Sequence, residues 1–285
     1  MAKLNRDSLR KSVLDMSAYT PGEQPQEGSI IKLNTNENPY PPSPRVVDAI
    51  KNALTSDRLR KYPDPLGTKF KIAAGNALGI DPDSILIGNG SDDILTILTR
   101  AFVPEFGLMA SATPSYLLYK TLAAIQNAKI ELVPFTATWQ LPPVWPFPEA
   151  NLTFLANPNS PSGTMVEATE IDRLAQSLKG PLVIDEAYGD FARHNSIGRF
   201  QNGAQPEGII ITRTMSKSYA LAGIRFGFAV AHPSLVRELI KVKDSYNCDV
   251  LSLEAATAAI SDQAYLKECI AKIIATRTRL HLELS

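Results

Sequence analysis

Short apolar runs alternate with amphipathic segments along most of the chain. The apolar runs, each of a length typical of a buried strand, are residues 84–89, 106–111, 129–135, 152–158, 181–187, 208–213 and 225–231. Segments with apolar residues at helical spacing lie between them, at 91–102, 115–126 and 166–180. This alternation predicts an α/β fold, a three-layer α/β/α domain with a mainly parallel sheet. Ligands of such sheets bind beyond the carboxyl ends of the strands.

The two ends of the chain depart from this alternation. Residues 20–44 are rich in Pro, Gly, Asn and Glu, which predicts an irregular arm. Helices are expected from about Pro44 and from about Thr68, and the last forty residues predict one or two more. We therefore divide the chain into three parts. They are an N-terminal arm of residues 1–43, a large domain of residues 44–245 and a C-terminal helical segment of residues 246–285.

Composition excludes several classes of partner. Lys+Arg and Asp+Glu both number 29 among 285 residues, so no basic surface for nucleic acid or acidic lipid is expected. No apolar run approaches the ~18 residues of a membrane span, and the first 16 residues lack the apolar region of a signal peptide. Two cysteines without a CxxC pair suit a reducing compartment, and three scattered histidines argue against a metal site. We expect a cytoplasmic protein.

The first candidate site follows the apolar run at 84–87, in "GNGSDD" (88–93). Two glycines precede Ser91 and a predicted helix, whose first N–H groups could bind an anion. In the alternative interpretation Ser91 only caps the helix, and Asp92 and Asp93 stabilise its N-terminus. Because these carboxylates would repel a phosphate, a phosphate here needs cations from elsewhere in the chain.

Charged residues also stand at later strand ends. Asp185 ends an apolar run, and a buried carboxylate is costly unless it is paired, so it is either aimed at a ligand or exposed to solvent. Lys217 has small and apolar neighbours, so burial would lower its pKa and free a nucleophilic amine; the alternative is a surface lysine. Arg225 is a ligand cation or simply begins a strand. Gly223 and Gly227 around it suggest close backbone approach.

Two nucleotide-binding motifs fail on this sequence. The phosphate-binding G-x-x-x-x-G-K-[ST] pattern is absent, and "GNGSDD" has Asp where the dinucleotide fingerprint needs its third glycine. A nucleophilic lysine, a carboxylate for a pyridinium nitrogen and an anion cradle with an arginine together fit a different ligand. That ligand is pyridoxal 5'-phosphate.

The motifs "KLNTNENPYPPSP", "RKYPDP", "GNGSDDIL", "TPSYLLY", "NPNSPSGT", "VIDEAY" and "SKSYALAGIRFGF" occur in this order. With them the chain resembles the class I/II aminotransferases of fold type I, from about Leu14 to Leu284. The resemblance implies a pyridoxal-phosphate-dependent transferase fold. It also implies an incomplete small domain, because "ATRTRLHLELS" is similar to the helix that precedes the family's C-terminal sheet. That sheet carries the family's substrate-binding arginines; Arg193, Arg199 and Arg213 are conceivable substitutes without motif support.

The resemblance also implies roles for individual residues. Lys217 would bind the cofactor covalently and later move a proton, Asp185 would pair with the ring nitrogen, and Tyr188 would donate to the ring hydroxyl. Tyr116 would stack on the ring; as an alternative it is a core aromatic. The implied phosphate contacts are Ser91, Asp92, Ser216 and Arg225.

Two further assignments are less direct. Ser160 stands where the family has an asparagine that contacts the ring hydroxyl, and the adjacent Asn159 could take over that contact. Tyr62 is similar to the family's tyrosine that reaches the phosphate in the partner subunit, which implies a homodimer with shared sites. Its alternative is an ordinary loop tyrosine beside a proline.

By the same resemblance, the expected reaction exchanges an amino group between glutamate and 2-oxoglutarate and an imidazole or aromatic substrate. Histidinol phosphate, in histidine biosynthesis, is the first candidate. Alternatives are an aromatic amino acid aminotransferase, a pyridoxal-phosphate-dependent decarboxylase, or a non-catalytic protein that only holds the cofactor. A nucleotide-binding α/β protein is disfavoured by the failed fingerprints.

Overall fold

A seven-stranded sheet forms the centre of the computed structural model, which describes residues 8–16 and 31–285. Its strands are β1 (Ile85–Gly88), β2 (Leu108–Thr113), β3 (Lys129–Pro134), β4 (Leu152–Ala156), β5 (Leu182–Asp185), β6 (Ile209–Thr214) and β7 (Gly227–Val230). Their spatial order is β1-β7-β6-β5-β4-β2-β3. Only β7 runs antiparallel to its neighbours, β1 and β6. The predicted mainly parallel sheet is confirmed, and the reversed direction of β7 was not predicted.

The α-helices that the described residues form are α1 (Lys11–Asp15), α2 (Pro44–Ala53), α3 (Ser56–Leu59), α4 (Thr68–Leu78), α5 (Ser91–Phe102), α6 (Leu118–Gln126), α7 (Ala168–Ser177), α8 (Pro233–Leu239), α9 (Val250–Ser261) and α10 (Gln263–Leu284). Residues 31–43 form neither helix nor strand, which confirms that part of the irregular arm. The predicted arm residues 20–30 lie outside the described residues. The short helices α1, α3 and α8 were not predicted.

Apolar side chains fill both faces of the sheet, as a three-layer fold requires. Alternate strand residues point to opposite faces, so that Ile184 belongs to one core cluster and its neighbour Val183 to the other. Residues of α5, α6 and α8 complete the cluster around Val183, while residues of α2, α4, α7 and α9 complete the cluster around Ile184. Both faces of the sheet are therefore covered by helices.

The strand directions bring the candidate site residues to one edge of the sheet. The carboxyl ends of β1, β4, β5 and β6 lie at this edge, and the reversed β7 begins there. Gly227, the first residue of β7, pairs with both Gly88 and Thr214. A Cβ atom on Gly227 would lie 2.6 Å from the backbone nitrogen of Ser91. Only glycine therefore lets the start of α5 approach β7 this closely.

The C-terminal helices pack onto the rest of the molecule. Helix α9 lies against α2 and α4, and Ala255, Ala256 and Ile260 of α9 belong to the larger core cluster. Asp262, between α9 and α10, accepts a hydrogen bond of 2.6 Å from the hydroxyl of Ser43. The last forty residues were expected to form one or two helices, and the structure shows two. The boundaries of the three predicted parts of the chain stay a prediction.

Candidate active site

A cavity of about 170 Å³ opens at the carboxyl edge of the sheet. Most of the candidate residues line it, namely Ser91, Asp92, Tyr116, Asp185, Tyr188, Ser216, Lys217 and Arg225. These residues come from the ends of several strands and from the starts of α5 and β7. The fold thus brings these candidate residues together around one space. We call this space the lysine cavity.

Lys217 follows β6 and is half-buried. Its Nζ atom donates a hydrogen bond of 2.6 Å to the carbonyl oxygen of Thr35 and lies 5.8 Å from the ring centre of Tyr188. Burial lowers the pKa of Lys217, an effect that nearby Glu37 opposes. The amine therefore loses its proton more readily than that of a solvated lysine, as a nucleophile requires.

Asp185 is 5% exposed at the end of β5, so the solvent-facing alternative is wrong. Its carboxylate accepts hydrogen bonds from the hydroxyl of Tyr119 at 2.8 Å and from that of Thr212 at 3.1 Å. Burial raises the pKa of Asp185, and these two donors act in the opposite direction. Tyr119 was not predicted as a site residue: it ends the motif "TPSYLLY", but only Tyr116 of that motif was assigned a role.

The predicted anion cradle corresponds to the start of α5, where the guanidinium of Arg225 lies beside Gly90. Ser91 is the first residue of the helix, and Gly90 is its N-cap, so the alternative that Ser91 caps the helix is wrong. The guanidinium of Arg225 lies 3.2 Å from the Ser216 hydroxyl and 3.6 Å from the Asp92 carboxylate. Arg225 therefore supplies the cation that offsets the charge of Asp92.

Two local features shape this cradle. Asp93 accepts hydrogen bonds from the backbone N–H of Asn89 at 2.9 Å and from the side-chain amide of Asn247 at 2.8 Å. Its carboxylate is therefore engaged by these two donors. Gly90 has a φ of +83°, and a Cβ there would lie 2.6 Å from a guanidinium nitrogen of Arg225. By contrast, a Cβ on Gly223 would meet nothing within 4 Å, so the prediction of close backbone approach is wrong there.

The N-terminal segment 35–38 contacts Tyr188 and Lys217 of the lysine cavity, which sequence reasoning missed. Asn36 donates a hydrogen bond of 3.0 Å to the hydroxyl of Tyr188. Asn38 donates to the carbonyl oxygens of Lys217 at 2.9 Å and Ser218 at 3.1 Å. The closely spaced asparagines of "NTNEN" were the available signal, since a side-chain amide can both donate and accept hydrogen bonds.

Asn159 lies beside the lysine cavity rather than among the residues that line it. Its amide nitrogen donates to the carbonyl oxygen of Pro114 at 3.1 Å and to the Ser162 hydroxyl at 2.8 Å. Its Oδ1 atom is buried without a hydrogen-bond partner among the described residues. Ser160 lines the cavity itself. A ring contact by Asn159 therefore stays a prediction.

Tyr62 lies away from the lysine cavity of its own chain. Its side chain is 80% exposed, and its ring stacks on that of Tyr246 with centres 4.4 Å apart. An exposed aromatic pair of this kind is available to a partner molecule.

A second cavity, of about 960 Å³, adjoins the first and shares Tyr188 and Lys217 with it. Arg193 and Arg277 line this adjoining cavity. The other two arginines considered for a substrate anion are engaged elsewhere: Arg213 pairs with Asp190 at 3.0 Å, and Arg199 pairs with Asp172. Arg193 and Arg277 are thus the two arginines on the wall of this adjoining cavity.

Within residues 8–16 and 31–285, His, Cys, Asp and Glu form no group of three or more that could hold a metal ion. None of the helices in this part of the chain combines the length and the apolar character needed to cross a membrane.

The sequence pattern of the family Aminotransferase class I and II matches residues 28–285. The chain therefore belongs to the class I and II aminotransferases, which confirms the resemblance seen in its motifs. Members of this family exchange an amino group between an amino donor and a 2-oxo acid.

Individual relatives narrow the comparison further. The chain is 52% identical over 273 residues to histidinol-phosphate aminotransferase of Rhodopirellula baltica, covering 95% of this chain and 74% of the relative. It is 46% identical to histidinol-phosphate aminotransferase 1 of a Nostoc species, covering 97% of this chain and 78% of the relative. The crystal structure of histidinol-phosphate aminotransferase from Sinorhizobium meliloti, in complex with pyridoxal-5'-phosphate, is 29% identical with a TM-score of 0.74. The match covers 86% of this chain and 68% of that one.

Proposed function

We propose that the chain is a pyridoxal-phosphate-dependent aminotransferase that acts on histidinol phosphate, with glutamate and 2-oxoglutarate as the second substrate pair. One observation carries this proposal: Lys217, Asp185 and Arg225 converge on a single cavity at the carboxyl edge of the sheet. A lysine amine, a carboxylate and an anion cradle are the groups that this cofactor requires. The names of the relatives at 52% and 46% identity support the choice of substrate.

The residues present fit the cofactor. Its phosphate suits the cradle, where Gly90 leaves room for the guanidinium of Arg225 beside the N–H of Ser91 and the hydroxyl of Ser216. The Asp185 carboxylate offers an anion for a protonated ring nitrogen. When bound, the cofactor withdraws electrons from the bonds around the amine-bearing carbon of the substrate.

The protein's part in the reaction follows from these positions. Asp185 holds a proton at the ring nitrogen because an adjacent anion favours the protonated base. The amine of Lys217, whose pKa burial lowers, can accept and return a proton at the substrate carbon. The adjoining cavity admits the substrate, and Arg193 and Arg277 on its wall match the charge of a substrate phosphate or carboxylate.

The test is the near-visible absorption spectrum of the purified chain, mixed with pyridoxal phosphate and dialysed. We expect a retained cofactor band that is lost on adding glutamate or histidinol phosphate. In Lys217→Ala, which should fold normally, the lysine-dependent band should be missing.

The alternatives give different results in the same experiment. Bleaching by phenylalanine or tyrosine but not by histidinol phosphate would favour an aromatic amino acid aminotransferase. Release of carbon dioxide would favour a decarboxylase. A band that no amine changes would indicate a protein that only holds the cofactor, and a missing band in the native chain would contradict the proposal.

We further propose a homodimer, located in the cytoplasm, in which Tyr62 reaches the partner's phosphate site. The exposure of Tyr62 and its distance from its own cavity support this arrangement. Mixing Lys217→Ala with Tyr62→Ala chains should then restore activity, because one site in each mixed dimer has both residues. No recovery, with mixed dimers present, would contradict a shared site.

A further inference from the structure

Two hydroxyl groups from different elements hold the carboxylate of Asp185. Tyr119 of α6 donates to Oδ2 at 2.8 Å, and Thr212 of β6 donates to Oδ1 at 3.1 Å. Each carboxylate oxygen therefore has a protein donor, while Asp185 still lines the lysine cavity.

The surroundings of Tyr119 leave its hydroxyl little freedom. The side chain is 1% exposed and its ring stacks on that of Phe154, with centres 4.6 Å apart and planes within 4°. Tyr116, which precedes α6, packs edge-on against the Tyr119 ring with centres 5.7 Å apart and itself lines the cavity. Phe154 lies on β4, the neighbour of β5 that carries Asp185. The Tyr119 hydroxyl is thus held against Asp185 by the same packing that forms the core.

The direction of this hydrogen bond follows from charge. Burial and the nearby Asp185 carboxylate raise the pKa of Tyr119 well above its ordinary value, so the phenol keeps its proton and donates it. A phenol that donates stabilises the ionised form of its acceptor. Burial, and to a smaller degree the charge of Asp92, act against that ionised form. The hydroxyl groups of Tyr119 and Thr212 therefore offset the cost of a buried anion.

We propose that Tyr119 and Thr212 are positioning residues that keep the Asp185 carboxylate ionised and directed into the lysine cavity. One part of this inference rests on the proposed function, namely that the Asp185 carboxylate pairs with the protonated ring nitrogen of the cofactor. The other ionisable groups on the cavity wall are Asp92, Tyr116, Tyr188, Lys217 and Arg225. Of these, Asp92 is the one whose charge opposes ionisation of Asp185, and it is paired with Arg225.

The chain without cofactor tests the proposal directly. Its aspartate carboxyl groups are labelled with ¹³C and followed by NMR across a pH series, with Asp185 assigned by the signal lost in Asp185→Asn. Tyr119→Phe removes the hydroxyl and keeps the stacked ring. We expect Asp185 to be ionised at neutral pH in the native chain and to titrate at a higher pH in Tyr119→Phe. Thr212→Val should shift it in the same direction, and Thr212→Ser should restore native behaviour.

A matched control separates positioning from general stability. Tyr219→Phe removes the hydroxyl of another buried tyrosine. That hydroxyl accepts a hydrogen bond from Gln263 and does not contact Asp185. This variant should leave the Asp185 titration unchanged. With cofactor added, the dissociation constant for pyridoxal phosphate should rise by ~10-fold in Tyr119→Phe, the usual effect of losing one donor to a charged group.

The outcomes are decisive in either direction. An Asp185 signal that titrates identically in Tyr119→Phe and the native chain would overturn the proposal, even if the variant were less active. So would an Asp185 that is protonated at neutral pH in the native chain. If Tyr119→Phe does not fold, the Asp185 titrations of Thr212→Val and Thr212→Ser decide the question. Failure of the native chain to bind pyridoxal phosphate would refute the proposed function and leave this titration valid.

Discussion

The Nζ atom of Lys217 donates a hydrogen bond of 2.6 Å to the carbonyl oxygen of Thr35, although the two residues are 182 positions apart. Asn38 holds the same N-terminal segment to the backbone of Lys217. The amine of the cavity is therefore already oriented by a segment that lies outside the sheet. The amine of Lys217 would have to leave the Thr35 carbonyl oxygen in order to hold the cofactor, and its pKa sets the pH at which it is uncharged.

We expect Lys217 to react with pyridoxal phosphate at a lower pH than an exposed lysine. Burial lowers its pKa by disfavouring the ammonium form, so the neutral amine is present at lower pH and accumulates as the pH rises. The measurement is borohydride trapping over a pH series, with peptide mass spectrometry comparing Lys217 with the exposed Lys51. Equal pH dependence at the two lysines would show that burial does not activate Lys217.

Arg225→Gln should weaken phosphate binding specifically. A charge-assisted hydrogen bond to phosphate is worth enough that the dissociation constant of pyridoxal phosphate should rise ~10- to 100-fold. Binding of pyridoxal, which lacks the phosphate, should hardly change. Because the loss of Arg225 also removes the cation beside Asp92, the double variant with Asp92→Asn should recover part of the affinity.

A second arginine controls for the loss of charge. Arg237, an exposed residue of α8, lies outside the lysine cavity, so Arg237→Gln should leave both affinities unchanged. An equal loss of pyridoxal and pyridoxal phosphate affinity in Arg225→Gln would mean that Arg225 supports the cavity as a whole and does not bind the phosphate.

Gly227→Ala should destabilise the fold and disturb the cradle together. The added Cβ would lie 2.6 Å from the backbone nitrogen of Ser91 and 2.8 Å from the carbonyl oxygen of Arg213, and neither backbone can move aside easily. Overpacking of this kind costs ~1–3 kcal/mol of unfolding free energy. Denaturant unfolding measures it, with Gly223→Ala as the control, because a Cβ there meets nothing within 4 Å. Equal stability of the two variants would contradict the close approach of β7 and α5.

The parts of the site that follow a strand end could be predicted from the sequence. Asp185, Lys217 and Arg225 each stand out as a charged residue beside an apolar run, and parallel strands bring such ends together. The direction of β7 could not be predicted, because an apolar run such as "RFGFAVA" has the same pattern in both directions. That reversal is what places Arg225 at the same edge as Lys217.

Contacts between distant segments were beyond the reach of local patterns. Thr35 contacts Lys217, and Asn36 contacts Tyr188, although each pair is separated by more than half of the chain. The residues around Thr35 and Asn36 do not indicate which residues they contact. Tyr119 posed a different problem. "SYLLY" contains two tyrosines, and only the packing of α6 against the sheet decides that one lines the cavity while the other reaches Asp185.

Asp185→Asn should stabilise the cofactor-free chain while it abolishes transamination. Burial raises the pKa of Asp185 above its unfolded value, so its ionised form costs stability at pH 7, and that cost disappears as the pH falls through the folded pKa toward the unfolded one of about 3.9. An asparagine carries no charge and can still accept a hydrogen bond from Tyr119, but it cannot hold a proton at a ring nitrogen. Thermal unfolding should therefore show a higher midpoint for the variant at pH 7, with a gain that shrinks toward acid pH. Asp48→Asn on the exposed face of α2 should show no such gain. A variant that is less stable than the native chain at pH 7 would mean that the hydrogen bonds to the carboxylate outweigh the cost of burying it.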